Sequence, residues 1–301
     1  MRRRGAVRPP PMTLSRLAPA AGLVLLAPAV WLLPSGGATV QDVPVAASEP
    51  AKAAAPAATR SAPPDLQKLV HEARRAQRAD ILAWAEHRFR RQERVEELTD
   101  TGQVKSVHTF DFEITPLADG FDERLLLRDG LEPTEATIED HRRSGRFQKH
   151  YRTLQTGSEE EDPESGYSIG TLLRLSEYRY AGREAIDGAE CHRLDFDPQD
   201  DPPGSGIEAR IAEAMSGSLW LTADGAHLVR ARTTSTRPVS LSLGLFKVHA
   251  LEVAFDAHQV ASGTWLPRQL SIVSHARLVF LGQHRRRVFT YSNYAPLPRP
   301  G

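Results

Sequence analysis

The sequence predicts an α+β fold in which one mainly antiparallel sheet is packed on one side by helices. Three observations carry this. Asp129-Gly130, Asp187-Gly188 and Asp224-Gly225 punctuate strand-like runs, the short-range mark of hairpins. Val104 to Ile114 alternates, with Phe110, Phe112 and Ile114 on one face against Thr109, Asp111 and Glu113 on the other, so one face meets an apolar interior and the other meets water. Leu66, Leu69, Val70, Ala73 and Ala76 follow Asp65 at helical spacing, with Asp65 suited to cap the helix.

Taken in order, residues 1–38 read as an export signal. Arg2, Arg3, Arg4 and Arg8 form a basic start, Leu17 to Leu33 is apolar, and Gly36-Gly37-Ala38 offers small residues for cleavage. A retained inner-membrane anchor facing the periplasm is the alternative. Against it, the apolar run is shorter than the roughly 20 residues a spanning helix needs, and it contains Pro19 and Pro28. Residues 39–64 are Ala/Pro/Ser-rich without aromatics and read as a disordered tether. One domain is expected over 65–294, followed by a Pro-rich tail at 295–301.

Within the domain, Ile81 to Val95 reads equally as continued helix or strand. Thr99 to Gly102 is a turn before the alternating strand, and Phe121 to Arg128 is a short strand ending at Asp129-Gly130. Pro133 opens a charged helix from Thr134 to about Leu154 whose His141, Arg142, Arg143, Arg146, Lys149 and His150 form a basic cluster. A solvated helix face is the preferred reading of that cluster, with transient contact to acidic headgroups the alternative. Glu159 to Asp162 lie in an acidic loop, and Ile169 to Leu175 suits a helical turn. Tyr178–Ala185 and Cys191–Phe196 form one predicted hairpin, and Ser218–Thr222 with His227–Thr234 a second. Ile207, Ile211, Ala214 and Met215 form a short amphipathic helix between them. Three long strands close the domain: Leu245 to Asp256, Thr264 to Leu281 and Arg285 to Tyr294.

Composition narrows function. With 38 basic and 38 acidic residues, nothing suggests a nucleic-acid footprint. The abundant arginines are scattered among acids and read as compositional bias. Cys191 is the single cysteine, so no internal disulfide can form, and its strand setting suits a small packing residue better than a reactive thiol. None of the 11 histidines has a His-Glu-x-x-His or paired Cys/His spacing. His275 and His284, like His249 and His258, stand nine apart, which in extended strands reads as far apart along the sheet. No histidine metal site is expected. Asp195, Asp197, Asp200 and Asp201 lack a calcium-loop pattern and read as a solubilising exit from a strand. Neither a nucleophile elbow nor a phosphate-binding glycine loop is present, so no enzyme activity, cofactor or metal is expected.

The succession Tyr178-Arg179-Tyr180, Glu184 to Gly188, Cys191 to Leu194, Gly217 to Leu221, Leu228-Val229-Arg230 and Trp265-Leu266-Pro267 resembles the outer-membrane lipoprotein-sorting superfamily of LolA-like envelope proteins. The likeness spans Leu66 to Tyr294. It implies a strongly curved antiparallel half-barrel, its concave apolar face covered by helices and receiving acyl chains of a lipid or lipoprotein. The charged helix after Gly130 and the acidic loop depart from the best-known members, and the resemblance carries over no individual binding residue.

Two functions follow from different classes. One is an exported, periplasmic carrier or sensor that holds a hydrophobic ligand between sheet and helices. Its lining is expected to include Phe110, Phe112, Ile114 and Tyr180, together with Leu194, Phe196, Trp220 and Phe255. The other is an envelope interaction protein whose core is filled by its own side chains and whose outer surface docks a protein partner.

Overall fold

The computed structural model describes residues 64–117, 120–144, 176–199, 210, 212–241, 246–260, 263–278 and 281–298. The expected export signal, nearly all of the tether, the charged helix beyond Ser144, the acidic loop and the 169–175 turn lie outside them.

Asp65 caps α1 (Leu66–Trp84): its carboxylate accepts from the backbone N–H groups of Gln67 and Lys68 at 3.0 and 3.1 Å. The predicted stripe faces inward, with Leu69, Ala73, Ala76 and Trp84 buried. The ambiguous 81–95 segment divides: helix persists to Trp84, and β1 (His87–Leu98) follows two residues later.

The remaining elements are β2 (Val104–Leu117), β3 (Gly120–Arg128), α2 (Glu135–Ser144), β4 (Ser176–Ile186), β5 (Ala189–Pro198), β6 (Met215–Thr222), β7 (Leu228–Ser235), β8 (Val239–Leu241), β9 (Phe246–Gln259), β10 (Trp265–Leu278) and β11 (Leu281–Pro296). Met215, expected on a helix stripe, instead starts β6 opposite Ser235. Its fully buried side chain satisfies an apolar inward position in either reading, so apolarity alone did not distinguish them. The final strand also runs past the expected domain end, pairing Ala295 with Arg88 and Pro296 with His87.

All ladders are antiparallel, in the order β3-β2-β1-β11-β10-β9-β7-β6-β5-β4, with β8 beside β9. The two predicted hairpins are there. Asp187 (φ 48°) and Gly188 (φ 87°) both occupy the left-handed region that a two-residue hairpin turn demands.

The sheet is strongly curled. Asp187, in the β4–β5 turn, pairs with Arg268 of β10 at 3.0 Å, although β6, β7 and β9 lie between β5 and β10. Four flat inter-strand steps would separate them by roughly 19 Å, at about 4.8 Å per step. α1 lies inside that curl, touching β4, β7 and β10. Asp80 on its last turns meets His227 at 2.8 Å, and Trp84 packs on Phe89, Phe121 and Tyr291. α2 reaches the other end of the sheet through His141, whose ring lies 4.9 Å from that of Phe112. His141, assigned from sequence to a solvated basic face, therefore points toward the sheet.

One close approach limits substitution in the centre. A Cβ on Gly217 would collide with the Arg232 carbonyl oxygen and lie 2.8 Å from Thr233 Cα, both backbone atoms of the adjoining β7. Gly217→Ala is expected to cost roughly 1–3 kcal/mol through forced separation of β6 and β7. Urea unfolding measures it, and an unchanged midpoint would show that the two strands can part there.

Candidate functional site: the inner face of the sheet

Cross-strand register defines the inner face without ambiguity. Tyr180 pairs with Leu194, which pairs with Leu219, then Ala231, Phe255, Leu270, Phe289, Glu93 and Phe110, a single row across nine strands. Directly opposed residues share a face. A second row, two residues along, runs from Tyr178 and Phe196 through Val253 and Ile272 to Arg287, Val95 and His108. Phe112 and Ile114 follow Phe110 on the same parity.

Seven of the eight expected lining residues thus share this face. Trp220 does not. It is opposed by Arg193 and Arg230, its indole N–H donates to Glu184 Oε2 at 2.9 Å, and the Arg193 guanidinium lies 5.4 Å from its ring centre. In the consecutive run Leu219-Trp220-Leu221 the leucines turn inward and the tryptophan must turn out. Arginine stems shield it on the outer surface. Around it Asp195 accepts from Ser218 and Arg193, while Asp256 binds Arg230 and Arg232.

The inner face is uneven. Much of it is sealed: Leu194 on β5 and Leu219 on β6 have no exposure and Phe196 has 1 %, and Leu270 and Ile272 on the central β10 have 2 % and 3 %. Phe112 and Ile114 are each 2 % exposed and Phe255 7 %. Toward both ends it opens, with Tyr178 and Tyr180 on β4 and Phe110, Val95 and His108 on β1 and β2 only half-buried.

This latter end also carries charge that the sequence reading missed. Arg91 forms a bidentate pair with Glu123, both bonds 3.1 Å, and lies 4.7 Å above the Phe112 ring. Burial disfavours the Arg91 charge, but Glu123 and Glu93 more than compensate, holding its pKa above the ordinary arginine value. Burial pushes up the phenol pKa of neighbouring Tyr291. Arg285 reaches Glu97 at 3.2 Å. For Arg287 burial dominates and the pKa is lowered, with Glu93 opposing the shift and Arg285 adding to it. Parity offered a signal: in Arg285-Arg286-Arg287-Val288-Phe289-Thr290-Tyr291, residues 285 and 287 share the face of Phe289 and Tyr291.

At the rim, the β4–β5 and β6–β7 turns and the start of β10 enclose a cleft of about 780 Å³. Asp187, Glu190, Asp224 and Arg268 give it charges of both signs, beside His258, whose pKa burial lowers, and with Trp265 as its large aromatic wall. Cys191 is buried nearby, its thiol pushed up to about 11 by burial, in keeping with a packing role.

His249 and His258 lie well apart along β9, as expected, but His275 and His284 do not. The β10–β11 hairpin sets His275 opposite His284, their ring centres 5.2 Å apart, and His249 lies 5.4 Å from His275. Residues nine apart meet when the chain reverses direction between them. His284 Nδ1 is 2.9 Å from the Thr99 carbonyl oxygen. Among the described residues no group of three or more His, Cys, Asp or Glu is arranged to hold a metal ion.

No family model and no curated protein matches the chain. Among solved structures it is similar to a domain described in terms of outer membrane lipoprotein sorting from Vibrio parahaemolyticus, at 11 % identity and TM-score 0.38, covering 79 % of this chain and 95 % of that one. It is also similar to a DUF1329 family protein from Desulfovibrio piger, at 14 % identity and TM-score 0.34, covering 78 % and 95 %. A LolA superfamily protein from Nitrosomonas europaea matches at 9 % identity and TM-score 0.30, covering 78 % and 94 %.

Proposed function

We infer that this chain is an exported, periplasmic binding protein that holds a lipid, or the acyl chains of a lipoprotein, against the inner face of its curved sheet, as a carrier or sensor and without catalysis. The observation that carries this reading is the opening of the inner face at β11, β1 and β2. There Phe110 and Val95 remain half-buried beside charged groups, the combination of apolar wall and few polar anchors that suits an amphipathic ligand. The basic start and apolar run within residues 1–38 support export.

The sealed positions at Leu194, Leu219 and Phe196 favour the second reading, an envelope interaction protein with a filled core. Extraction of protein purified from its native envelope, followed by mass spectrometry, separates the two. Release of lipid or lipopeptide in near-stoichiometric amount is expected. A clean extract from protein that also fails to bind acyl probes would favour the interaction protein.

A further inference from the structure

We propose that Arg287 is the anchor for the anionic head of the inner-face ligand, a carboxylate or phosphate attached to an acyl chain. This rests on the reading of that face as a ligand surface and adds the chemical class of what binds there. Arg287 stands in the second inner row, opposed by Val95 on β1 and Ile272 on β10, with Val253 beyond Ile272. Its immediate neighbours in that row are apolar, an unusual setting for a guanidinium that makes no ion pair among the described residues.

Neighbouring arginines are provided for. Arg285 reaches Glu97, Arg286 reaches Glu96 at 2.9 Å on the other face, and Arg91 is clasped by Glu123. Arg287 has no carboxylate within 4.0 Å and makes no hydrogen bond among the described residues. Glu93, diagonal to it across the β1–β11 ladder, acts on it only at longer range and does not offset the burial. A planar guanidinium is matched to the paired oxygens of a carboxylate or phosphate. With Val95 half-buried on the adjoining β1 and Phe110 half-buried on β2 beyond it, an acyl chain laid across β2 and β1 would end with its head at Arg287.

The test is displacement of the neutral fluorophore N-phenyl-1-naphthylamine by three ligands of one chain length: palmitate, palmitoyl lysophosphatidate and monopalmitoylglycerol. The first two separate a carboxylate from a phosphate head, and the third is uncharged. Wild-type protein is expected to bind at least one anionic ligand about ten-fold or more tighter than the neutral one, in line with hydrogen bonds to charged groups. Arg287→Met should abolish that preference while leaving monopalmitoylglycerol affinity unchanged, and Arg287→Lys should keep part of it. Because no ion pair is lost, Arg287→Met should melt no lower than wild type, which shows that the variant folds. A preference that survives in Arg287→Met, or equal binding of all three ligands by wild type, overturns the anchor and leaves the acyl-binding reading standing. Failure of fluorophore and ligands alike to bind wild type overturns both.

Discussion

Replacing Phe112 with alanine is expected to lower the unfolding free energy by about 3–5 kcal/mol, as deletion of a buried ring does when its surroundings collapse only in part. Phe112 is 2 % exposed in the middle of β2, opposed by Arg91 on β1 and Leu125 on β3. The Arg91 guanidinium covers one side at 4.7 Å and the His141 ring lies 4.9 Å away. Truncation therefore opens a cavity and also removes the aromatic face beneath a buried cation. Urea unfolding with an unchanged slope would measure a pure stability effect. Binding of a neutral acyl probe should survive in the folded fraction, because Phe112, unlike the half-buried Phe110 beside it, is covered by Arg91 and His141. A loss of only about 1–2 kcal/mol with weakened probe binding would instead put the ring at an exchangeable ligand surface.

The features legible in the sequence were those fixed by neighbours along the chain. Asp65 and its stripe define α1 because capping and helical period are local, and Asp187-Gly188 marks a hairpin because few residues accept positive φ, whereas at Asp224-Gly225 the positive φ falls on the following Ala226 (55°). β2 was readable because its apolar and polar residues alternate. β1 was not: in His-Arg-Phe-Arg-Arg-Gln-Glu-Arg-Val-Glu-Glu-Leu charge falls on both faces, so no two-residue period stands out. The reason lies across the sheet, where Arg91 finds Glu123 on β3 and Glu96 finds Arg286 on β11. These partners are distant in sequence and no pattern along β1 encodes them. Trp220 shows the converse limit: three successive apolar residues give no parity cue, and only the register with Arg193 and Arg230 assigns its face. His275 and His284 show how turn position converts sequence separation into contact.

The second large effect is expected at the Arg91–Glu123 pair. Both side chains are nearly enclosed, 9 % and 13 % exposed, and two parallel hydrogen bonds of 3.1 Å hold them. Glu123→Ala removes both of these hydrogen bonds from the Arg91 guanidinium on the apolar face between Phe112 and Tyr291, with the attraction of Glu93 still acting on it, and should cost about 3 kcal/mol, toward the low end of the penalty for breaking a buried pair. Removing both charges has a different consequence. Arg91→Met combined with Glu123→Leu keeps comparable volume and deletes the desolvation cost, so the double variant should return to within about 1 kcal/mol of wild type or exceed it. The double-mutant cycle then yields a coupling of the same order as the single loss. Additive single effects would show that the pair is not coupled and that water reaches it. Arg91 and Arg287 are both arginines of the inner face, but of the two only Arg91 has a carboxylate at hydrogen-bond distance among the described residues. Loss of stability is therefore expected on unpairing Arg91, and loss of selectivity among ligand heads on replacing Arg287.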